Sequence, residues 1–235
     1  MPSRSPRHPS AVSPWEQPAY PLAEAARYLK LPVATLRSWV AGRSYPTAKG
    51  VERFQPLIHP PRPNPPVLSF LNLIEAHVVR ALRTDHGVSV KDLRQALRYA
   101  EHALGVERLL LHRELCTEGG NLFLERYGQL ISLSASGQLA MRKVFEQHLE
   151  RVVWDVPQVP IRLYPFLSSE ALGPDRPIAI DPQIAFGRPV VVRKAISTHV
   201  IAERIDAGET VADLAADYDL SQTEIEQAVL YERAA

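Results

Sequence analysis

Two small hydroxyl side chains and one guanidinium occupy a single short stretch, as Thr35, Arg37 and Ser38. Groups of these kinds are suited to hydrogen bonds with base edges and phosphate oxygens in a DNA major groove. Further cations follow at Arg43, Lys49 and Arg53. The types and spacing of these six residues predict a DNA contact, in which Lys49 and Arg53 are the weaker candidates.

The sequence contains no residue pattern typical of a catalytic site or a metal site. The eight histidines are scattered, at His8, His59, His77, His86, His102, His112, His148 and His199. None of them shares a zinc-ligand spacing with Cys116, the single cysteine. The sequence has no glycine-rich loop for phosphate, and its C-terminal carboxylates fall on helix exteriors. We therefore expect no catalytic residue, no metal and no cofactor, and we expect His77 and His86 to be solvated near a helix end.

Two amphipathic helices joined by a tight corner must position the DNA-contact group. The predicted apolar stripes are Leu22, Ala25, Ala26 and Leu29 in the first helix, Leu31 in the corner, and Val33, Leu36 and Val40 in the second helix. Pro32 suits a helix entrance, because its missing N–H has no intrahelical partner there. The arrangement is that of a helix-turn-helix, and we expect Trp39 to lie in its core.

These residues resemble the MerR and excisionase group of winged helix-turn-helix DNA binders. The matching positions are Tyr20, Ala25-Ala26, Leu29-Lys30-Leu31 and Thr35-Leu36-Arg37-Ser38-Trp39, with Lys30 where the group has a turn glycine. The resemblance implies a wing over residues 43–53. It also implies a second helix pair that packs under the wing and includes residues 87–97.

The two ends of the chain carry opposite charge. Residues 1–66 contain nine basic and three acidic side chains, a net charge of +6, whereas residues 178–235 contain five basic and ten acidic ones, a net charge of −5. The whole chain has a net charge of +1. We therefore expect the basic end to prefer nucleic acid and the acidic end to prefer protein.

The N-terminal half also contains two proline-rich segments. Residues 1–18 hold five prolines among serines and are predicted to be a disordered tail. The cluster at 59–66 excludes a helix or a central strand and indicates a stiff connector or a long ordered turn. Apolar spacing predicts helices over residues 67–83 and over residues 87–104, where Ser89 is the expected N-cap.

The central segment mixes strand and helix patterns. Two apolar runs around Tyr127-Gly128-Gln129 predict a hairpin, and residues 136–156 look helical. Three candidate strands follow, at 161–167, 177–182 and 188–194, because these stretches are rich in β-branched and aromatic residues.

The last segment repeats the helical pattern of the first pair with different charges. Ser197, Thr210 and Ser221 are predicted N-caps, and Gly208 is a predicted helix stop. The second helix of this pair, which would contact the bases in a DNA-binding helix-turn-helix, presents three carboxylates, Glu224, Glu226 and Glu232. Because carboxylates repel a phosphate backbone, this pair is expected to bind protein and not DNA.

The final sixty residues are similar to a family of small uncharacterised bacterial domains. The matching residues are Asp181, Pro182, Gly187, Arg188, Pro189 and Val190, followed by Ile196, Ser197 and Thr198. Members occur in antitoxins paired with PIN-like ribonuclease toxins, and the layout resembles the longer VapB-type antitoxins. The resemblance implies partner contacts at Asp181, Gly187, Arg188 and Pro189. The alternative, which we favour, is a structural turn in which Arg188 pairs with Asp181.

Together these patterns predict an α+β fold that is mostly helical. Its expected parts are a disordered tail (1–18), a winged helix-turn-helix domain (19–105), a connecting and dimerisation region with a β-hairpin and a helix (106–177), and a C-terminal three-helix domain (178–235). No apolar run is long enough to span a membrane, and the lone cysteine is compatible with the cytoplasm.

The resulting hypothesis is a cytoplasmic, homodimeric antitoxin. It would bind operator DNA, repress its own operon and neutralise a PIN-like ribonuclease. Two alternatives remain open: a MerR-like transcription regulator that senses a small ligand, and an architectural protein of the excisionase kind.

Overall fold

The computed structural model describes residues 13–47, 50–84, 90–105, 107–111, 146, 149–155, 159–165 and 176–234. Its elements, in chain order, are β1 (Tyr20–Pro21), α1 (Leu22–Tyr28), α2 (Val33–Ala41), β2 (Arg43–Thr47), β3 (Gly50–Phe54), β4 (Arg62–Pro63), β5 (Pro66–Leu68), α3 (Phe70–Thr84), α4 (Val90–Leu104), β6 (Val152–Trp154), β7 (Pro160–Leu163), β8 (Ile178–Ala179), β9 (Val190–Val191), β10 (Ile196–Ser197), α5 (Thr198–Asp206), α6 (Val211–Tyr218) and α7 (Gln222–Arg233). The fold is mixed α and β.

The first helix pair buries most of its predicted stripes. The four stripe residues predicted for the first helix are buried, with Leu29 placed directly after α1, and Leu36 and Val40 of α2 are buried too. Trp39 is 1% exposed and lies in the core, as expected. The assignment of Val33 to the stripe was wrong: it is 37% exposed, because it begins α2 before the helix reaches the core.

Residues 13–18, which belong to the predicted disordered tail, have a described conformation that precedes the first helix pair. Residues 14–16 form a turn, with the Glu16 N–H donating to the Ser13 carbonyl at 2.8 Å. Trp15 packs against the core, and its carbonyl accepts from the Leu71 N–H at 3.1 Å. The apolar ring of Trp15 explains the order, because it gives this stretch surface to bury.

The second proline cluster is an ordered hairpin. Strand β5 pairs antiparallel with β1 on one side and with β4 on the other, giving the order β1-β5-β4. The expectation that the cluster holds no central strand fails at Pro66, which begins the central strand β5. A proline is tolerated at the first residue of a strand, and Pro63 lies on the edge strand, where it removes no inner ladder bond.

Helices α3 and α4 contribute eleven of the buried residues of the main core. The inward residues of α4 are Leu93, Ala96, Leu97 and Ala100. The central segment joins the same core through Leu149, Val152, Leu163 and Ile180. His77 is 1% exposed within α3, so the expectation of a solvated side chain was wrong. The reason is that α3 is buried on nearly all sides, including its polar positions.

The central segment ends in strands. Residues 152–154 form β6, paired antiparallel with β7, where a helix was expected to continue to residue 156. Two valines and a tryptophan there favour the extended backbone. The three predicted strands are present in shorter form as β7, β8 and β9. The hairpin expected around Tyr127, most of the helix expected before β6 and the predicted N-cap Ser89 lie outside the described residues.

The C-terminal helices pack around a second, smaller core. Its buried members are Val191, Ile201, Leu214, Ala215, Leu220, Ile225 and Ala228. Thr210 and Ser221 each form a capping box at the start of α6 and α7, as predicted. Ser197 sits at the N-cap of α5 without a side-chain cap hydrogen bond. Within the described residues, no helix has the length and apolar character that crossing a membrane requires.

Candidate nucleic-acid interface

A four-residue corner sets the angle between α1 and α2. The Leu29 N–H donates to the Ala25 carbonyl at 3.0 Å, and the Leu31 N–H donates to the Ala26 carbonyl at 2.9 Å. Between them Lys30 has a φ of 52°, in the left-handed region that favours glycine. Lysine therefore occupies a backbone conformation that glycine adopts more readily.

The outer face of α2 carries the predicted base-contact residues. Arg37 is exposed, and Thr35 and Ser38 are half-buried beside it in sequence. The Ser38 hydroxyl donates to the Thr35 carbonyl oxygen at 2.7 Å, so its proton is already used inside the helix. Ser38 can still accept a hydrogen bond, since a hydroxyl has two lone pairs. Among the described residues, Arg37 makes no ion pair, and its guanidinium remains open to a phosphate or a base.

A two-stranded hairpin follows α2 without a linker. Gly42 leaves the helix with a φ of 73°, and Arg43 begins β2, exposed and opposite Phe54 of β3. The chain then returns to the same helix end, because the Leu57 and Ile58 N–H groups both donate to the Trp39 carbonyl, at 2.7 and 3.1 Å. The hairpin is therefore anchored on the C-terminus of α2 at both of its ends.

The remaining predicted cations belong to this hairpin. The backbone of Arg53 lies opposite Ser44 in the β2–β3 ladder. Its side chain and the whole of Lys49 lie outside the described residues. The structure thus places Thr35, Arg37 and Ser38 on one helix and Arg43 directly after it.

The C-terminal helix contacts the corner of the first pair, a contact that the sequence did not reveal. Tyr231 of α7 is fully buried, and its hydroxyl donates to the Tyr28 carbonyl at 2.8 Å. The Lys30 ammonium lies 4.0 Å from the centre of the Tyr231 ring. Arg27 and Glu232 form an ion pair at 3.4 Å. We call this set of contacts the clasp.

Burial in the clasp changes the acidity of its members. Desolvation lowers the pKa of Lys30 to about 8, against an opposing effect of Glu232 and with a further lowering by Arg27 and Arg80. Desolvation likewise raises the pKa of Tyr231 well above its ordinary value. Arg80 of α3 adds another bond to the corner, donating to the Leu29 carbonyl at 2.6 Å. The corner is therefore held by both α3 and α7.

The carboxylates of α7 are less available than the sequence suggested. Glu226 is exposed, as expected. Glu224 closes the capping box and pairs with Arg193 at 3.1 Å. The side chain of Glu232 is 9% exposed and accepts from the Thr198 hydroxyl at 2.5 Å. The expectation of three outward carboxylates is wrong for two of them, because each has a basic or hydroxyl partner elsewhere in the fold.

The turn at residues 181–189 differs from the predicted ion pair. Asp181 is buried and pairs with Arg162, whose two guanidinium nitrogens donate at 2.9 and 3.0 Å. Arg188, the predicted partner, is exposed. Gly187 lies against Tyr20, and Pro189 is buried, with its carbonyl accepting from the Thr198 N–H at 3.1 Å. The pairing was missed because it joins Arg162 of β7 to a residue in the turn after β8.

A polar cleft opens beside α4. It has a volume of about 180 Å³, and its charged lining residues are Glu75, Arg94, Arg98, Glu101 and Arg108. Arg108 grips Glu75 through two bonds of 2.9 Å. Burial, and then the neighbouring Arg98, lower the pKa of Arg94. In the described part of the chain, no three His, Cys, Asp or Glu side chains converge as metal ligands would.

Comparison with known proteins finds two family domains. Residues 18–97 match a family model described as "Putative DNA-binding HTH domain". Residues 178–231 match one described as "Protein of unknown function (DUF433)".

Similar full-length proteins come from Mycobacterium tuberculosis. Its "Putative antitoxin VapB45" is 27% identical over 232 residues, covering 92% of this chain and 94% of that protein. Its "Uncharacterized protein Rv2308" is 23% identical over 237 residues, covering 94% of this chain and 93% of that protein. The crystal structure of its Rv2018 shares the fold, with a TM-score of 0.65 at 23% identity over 92% of this chain and 99% of the other. The chain therefore contains a helix-turn-helix family domain at residues 18–97 and a DUF433 domain at residues 178–231.

Proposed function

We propose that this chain is the antitoxin of a type II toxin–antitoxin system. In this proposal it binds operator DNA as a cytoplasmic homodimer, represses its own operon, and neutralises a PIN-like ribonuclease. No cofactor is required. The observation that carries the proposal is the likeness, over nearly the whole length of both chains, to a protein named as an antitoxin, combined with an exposed reading helix.

The DNA-binding half rests on the outer face of α2 and the hairpin behind it. Arg37 and Arg43 are exposed, and neither pairs with an acid among the described residues. We propose that α2 enters the major groove and that the β2–β3 hairpin acts as a wing, with Lys49 and Arg53 as its further contacts. A dimer is proposed because one helix pair covers one half-site, and paired half-sites lie about one DNA turn apart.

Substitution of Arg37 tests this half. Arg37→Ala should weaken binding to a duplex from upstream of the chain's own reading frame by about tenfold or more, the effect of losing a base or phosphate contact worth ~1–3 kcal/mol. If two subunits each lose one phosphate contact, the slope of log K against log salt should become less negative by about 2. Fluorescence anisotropy at several salt concentrations measures both quantities.

The matched control for Arg37 is Lys194→Gln. This substitution removes an exposed cation from the C-terminal domain, where the ammonium pairs with Asp219 at 2.5 Å. Operator affinity should stay within about twofold for this control, since surface ion pairs contribute little. Equal losses of operator affinity in both variants would mean that the net charge of the chain, and not the position of Arg37 on α2, determines DNA binding.

The partner-binding half is supported by the antitoxin-named relative. Of the four predicted residues, Arg188 is exposed and is proposed for partner contact, whereas the buried Asp181, Gly187 and Pro189 are proposed to hold the turn that presents it. The test is inhibition of the ribonuclease encoded by the adjacent reading frame, mixed with the purified full-length chain. Stoichiometric loss of RNA cleavage supports the proposal, whereas undiminished cleavage with excess chain refutes it.

A second candidate function is favoured by the polar cleft beside α4. Arg94 and Arg98 form no ion pair with the described residues, and in this candidate their guanidinium groups hold an anionic small molecule, which would make the chain a ligand-sensing regulator. Mass spectrometry of the natively purified protein separates the two candidates. A bound metabolite in the absence of any ribonuclease favours the sensor.

A further inference from the structure

One aromatic side chain stands out from the surface of the C-terminal domain. Phe186 is 92% exposed, and its backbone has a φ of 56° and a ψ of 33°. Its neighbours Ala185 and Gly187 also have positive φ values, 47° and 74°. A single exposed apolar residue is ordinary on a protein surface. An exposed phenylalanine in left-handed backbone is unusual, because both the ring and the backbone are in unfavourable states.

The turn that exposes Phe186 packs against Tyr20 on its inner side. A Cβ added to Gly187 would lie 2.0 Å from the Tyr20 hydroxyl oxygen, so the backbone rests directly on that tyrosine. The Gly187 N–H donates to the Ile184 carbonyl at 2.9 Å. These contacts over-determine the conformation, which is the condition under which a strained residue persists.

The start of the turn is fixed by Asp181. One carboxylate oxygen accepts the Gln183 N–H at 2.9 Å, and the other accepts Arg162. The Ile184 N–H donates to the Asp181 carbonyl at 2.9 Å. The ring of Phe186 is thus held outward before any partner arrives, and pre-organisation of this kind lowers the entropy that binding costs.

An unpaired positive charge lies two residues further on. Arg188 is exposed, and it makes no ion pair with the described residues because Arg162 occupies Asp181. The other lysine and arginine side chains of the DUF433 domain do have acidic partners: Arg193, Lys194 and Arg204 pair with Glu224, Asp219 and Glu209. Arg188 is therefore the cation of this domain that remains available to a partner.

We infer that Phe186 is the anchor of the partner surface and that Arg188 is its charged rim. The partner that fits is a protein with an apolar pocket for one phenyl ring and a carboxylate at the edge of that pocket. This inference rests on the proposed function and assigns the partner as the ribonuclease. Aromatic side chains and arginines are the residue types that most often dominate binding energy at such interfaces.

The test compares Phe186→Asn with wild type, using the full-length chain and the ribonuclease encoded by the adjacent reading frame. Asparagine tolerates left-handed backbone, so the turn is retained while the ring is lost. The dissociation constant, measured by calorimetry, should rise at least about thirtyfold, the factor that corresponds to a hot-spot residue. The midpoint of thermal unfolding should stay the same or rise, and operator affinity should not change.

Two further variants sharpen the test. Leu230→Gln is the matched control, because Leu230 is a 55% exposed apolar residue on a regular helix of the same domain. The affinity of this variant for the ribonuclease should remain within about threefold of the wild-type value. Arg188→Gln should slow association and reduce its dependence on salt, as the loss of a rim charge does.

Several outcomes would overturn the inference. Equal ribonuclease affinity for Phe186→Asn and wild type removes the anchor while the proposed function stands. A change of the free chain's oligomeric state in this variant, with ribonuclease affinity retained, would assign the ring to a second copy of the chain. Failure of the wild-type chain to bind the ribonuclease refutes the proposed function, and the inference with it.

Discussion

The hydroxyl group of Tyr231 offers a direct measure of how strongly the two ends of the chain are joined. Tyr231→Phe keeps the ring that packs between α7 and the corner, and it removes only the donor to the Tyr28 carbonyl. That carbonyl belongs to the last residue of α1, where no intrahelical donor is available. The variant therefore leaves a buried acceptor without a hydrogen bond.

The expected cost follows from this geometry. An unsatisfied buried acceptor costs about 1–3 kcal/mol, and because the 2.8 Å bond that is lost is a neutral one, a value in the lower half of that range, about 1.5 kcal/mol, applies. For a chain of this size, a loss of that amount lowers the unfolding midpoint by about 3–6 °C. Urea unfolding gives the free energy, and calorimetry gives the midpoint.

The neighbouring residue supplies the control. Leu230 precedes Tyr231 on α7 but points to solvent, so Leu230→Ala should cost less than about 0.5 kcal/mol. If Tyr231→Phe were as stable as Leu230→Ala, the clasp would contribute nothing measurable, and the reasoning that unites the two ends of the chain would fail.

Two further perturbations test other close contacts. Gly187→Ala places a Cβ against the Tyr20 hydroxyl at positive φ and should lower the free energy of unfolding by about 2–4 kcal/mol. The control is Gly208→Ala, also at positive φ but with open space around the added Cβ, which should cost about 1 kcal/mol in the same urea titration. Equal costs for the two variants would refute the close approach of Gly187 to Tyr20. Lys30→Met tests the depressed pKa of about 8: between that value and 10.5 the unfolded chain holds a proton that the folded chain has released, so wild-type stability rises with pH in this window. Relative to Lys30→Met, the wild type should gain about 1 kcal/mol from pH 7.5 to 9.5, after allowance for partial exposure, and a constant difference in unfolding free energy would contradict the assignment.

Features with a local cause could be predicted from the sequence. The burial of α1 follows from helical spacing, and the caps at Thr210 and Ser221 follow from a hydroxyl three residues before a carboxylate. Trp39 was placed in the core on its size and position alone. In each case the deciding interaction lies within a few residues, where periodicity and side-chain type are sufficient.

The features that were missed depend on contacts between distant parts of the chain. Tyr28 and Tyr231 are separated by 203 residues, and nothing in either local sequence indicates that they meet. The misassigned partner of Asp181 has the same origin, since Arg162 reaches it from β7. The left-handed backbone at Phe186 gave no signal at all, because the only glycine of that turn follows it.

The hairpin is held at the C-terminus of α2 on both sides, by Gly42 before β2 and by the hydrogen bonds of the Leu57 and Ile58 N–H groups to the Trp39 carbonyl after β3, and this has a mechanical consequence. A hairpin that is attached to a helix end at both of its strands can vary in length, but it cannot rotate relative to that helix. Extra residues inserted between β2 and β3 would therefore lengthen the hairpin while its base kept the direction that α2 imposes. If the hairpin is the DNA-binding wing proposed above, a DNA site with a wider spacing between the α2 contact and the wing contact would be matched by a longer hairpin and not by a tilted one.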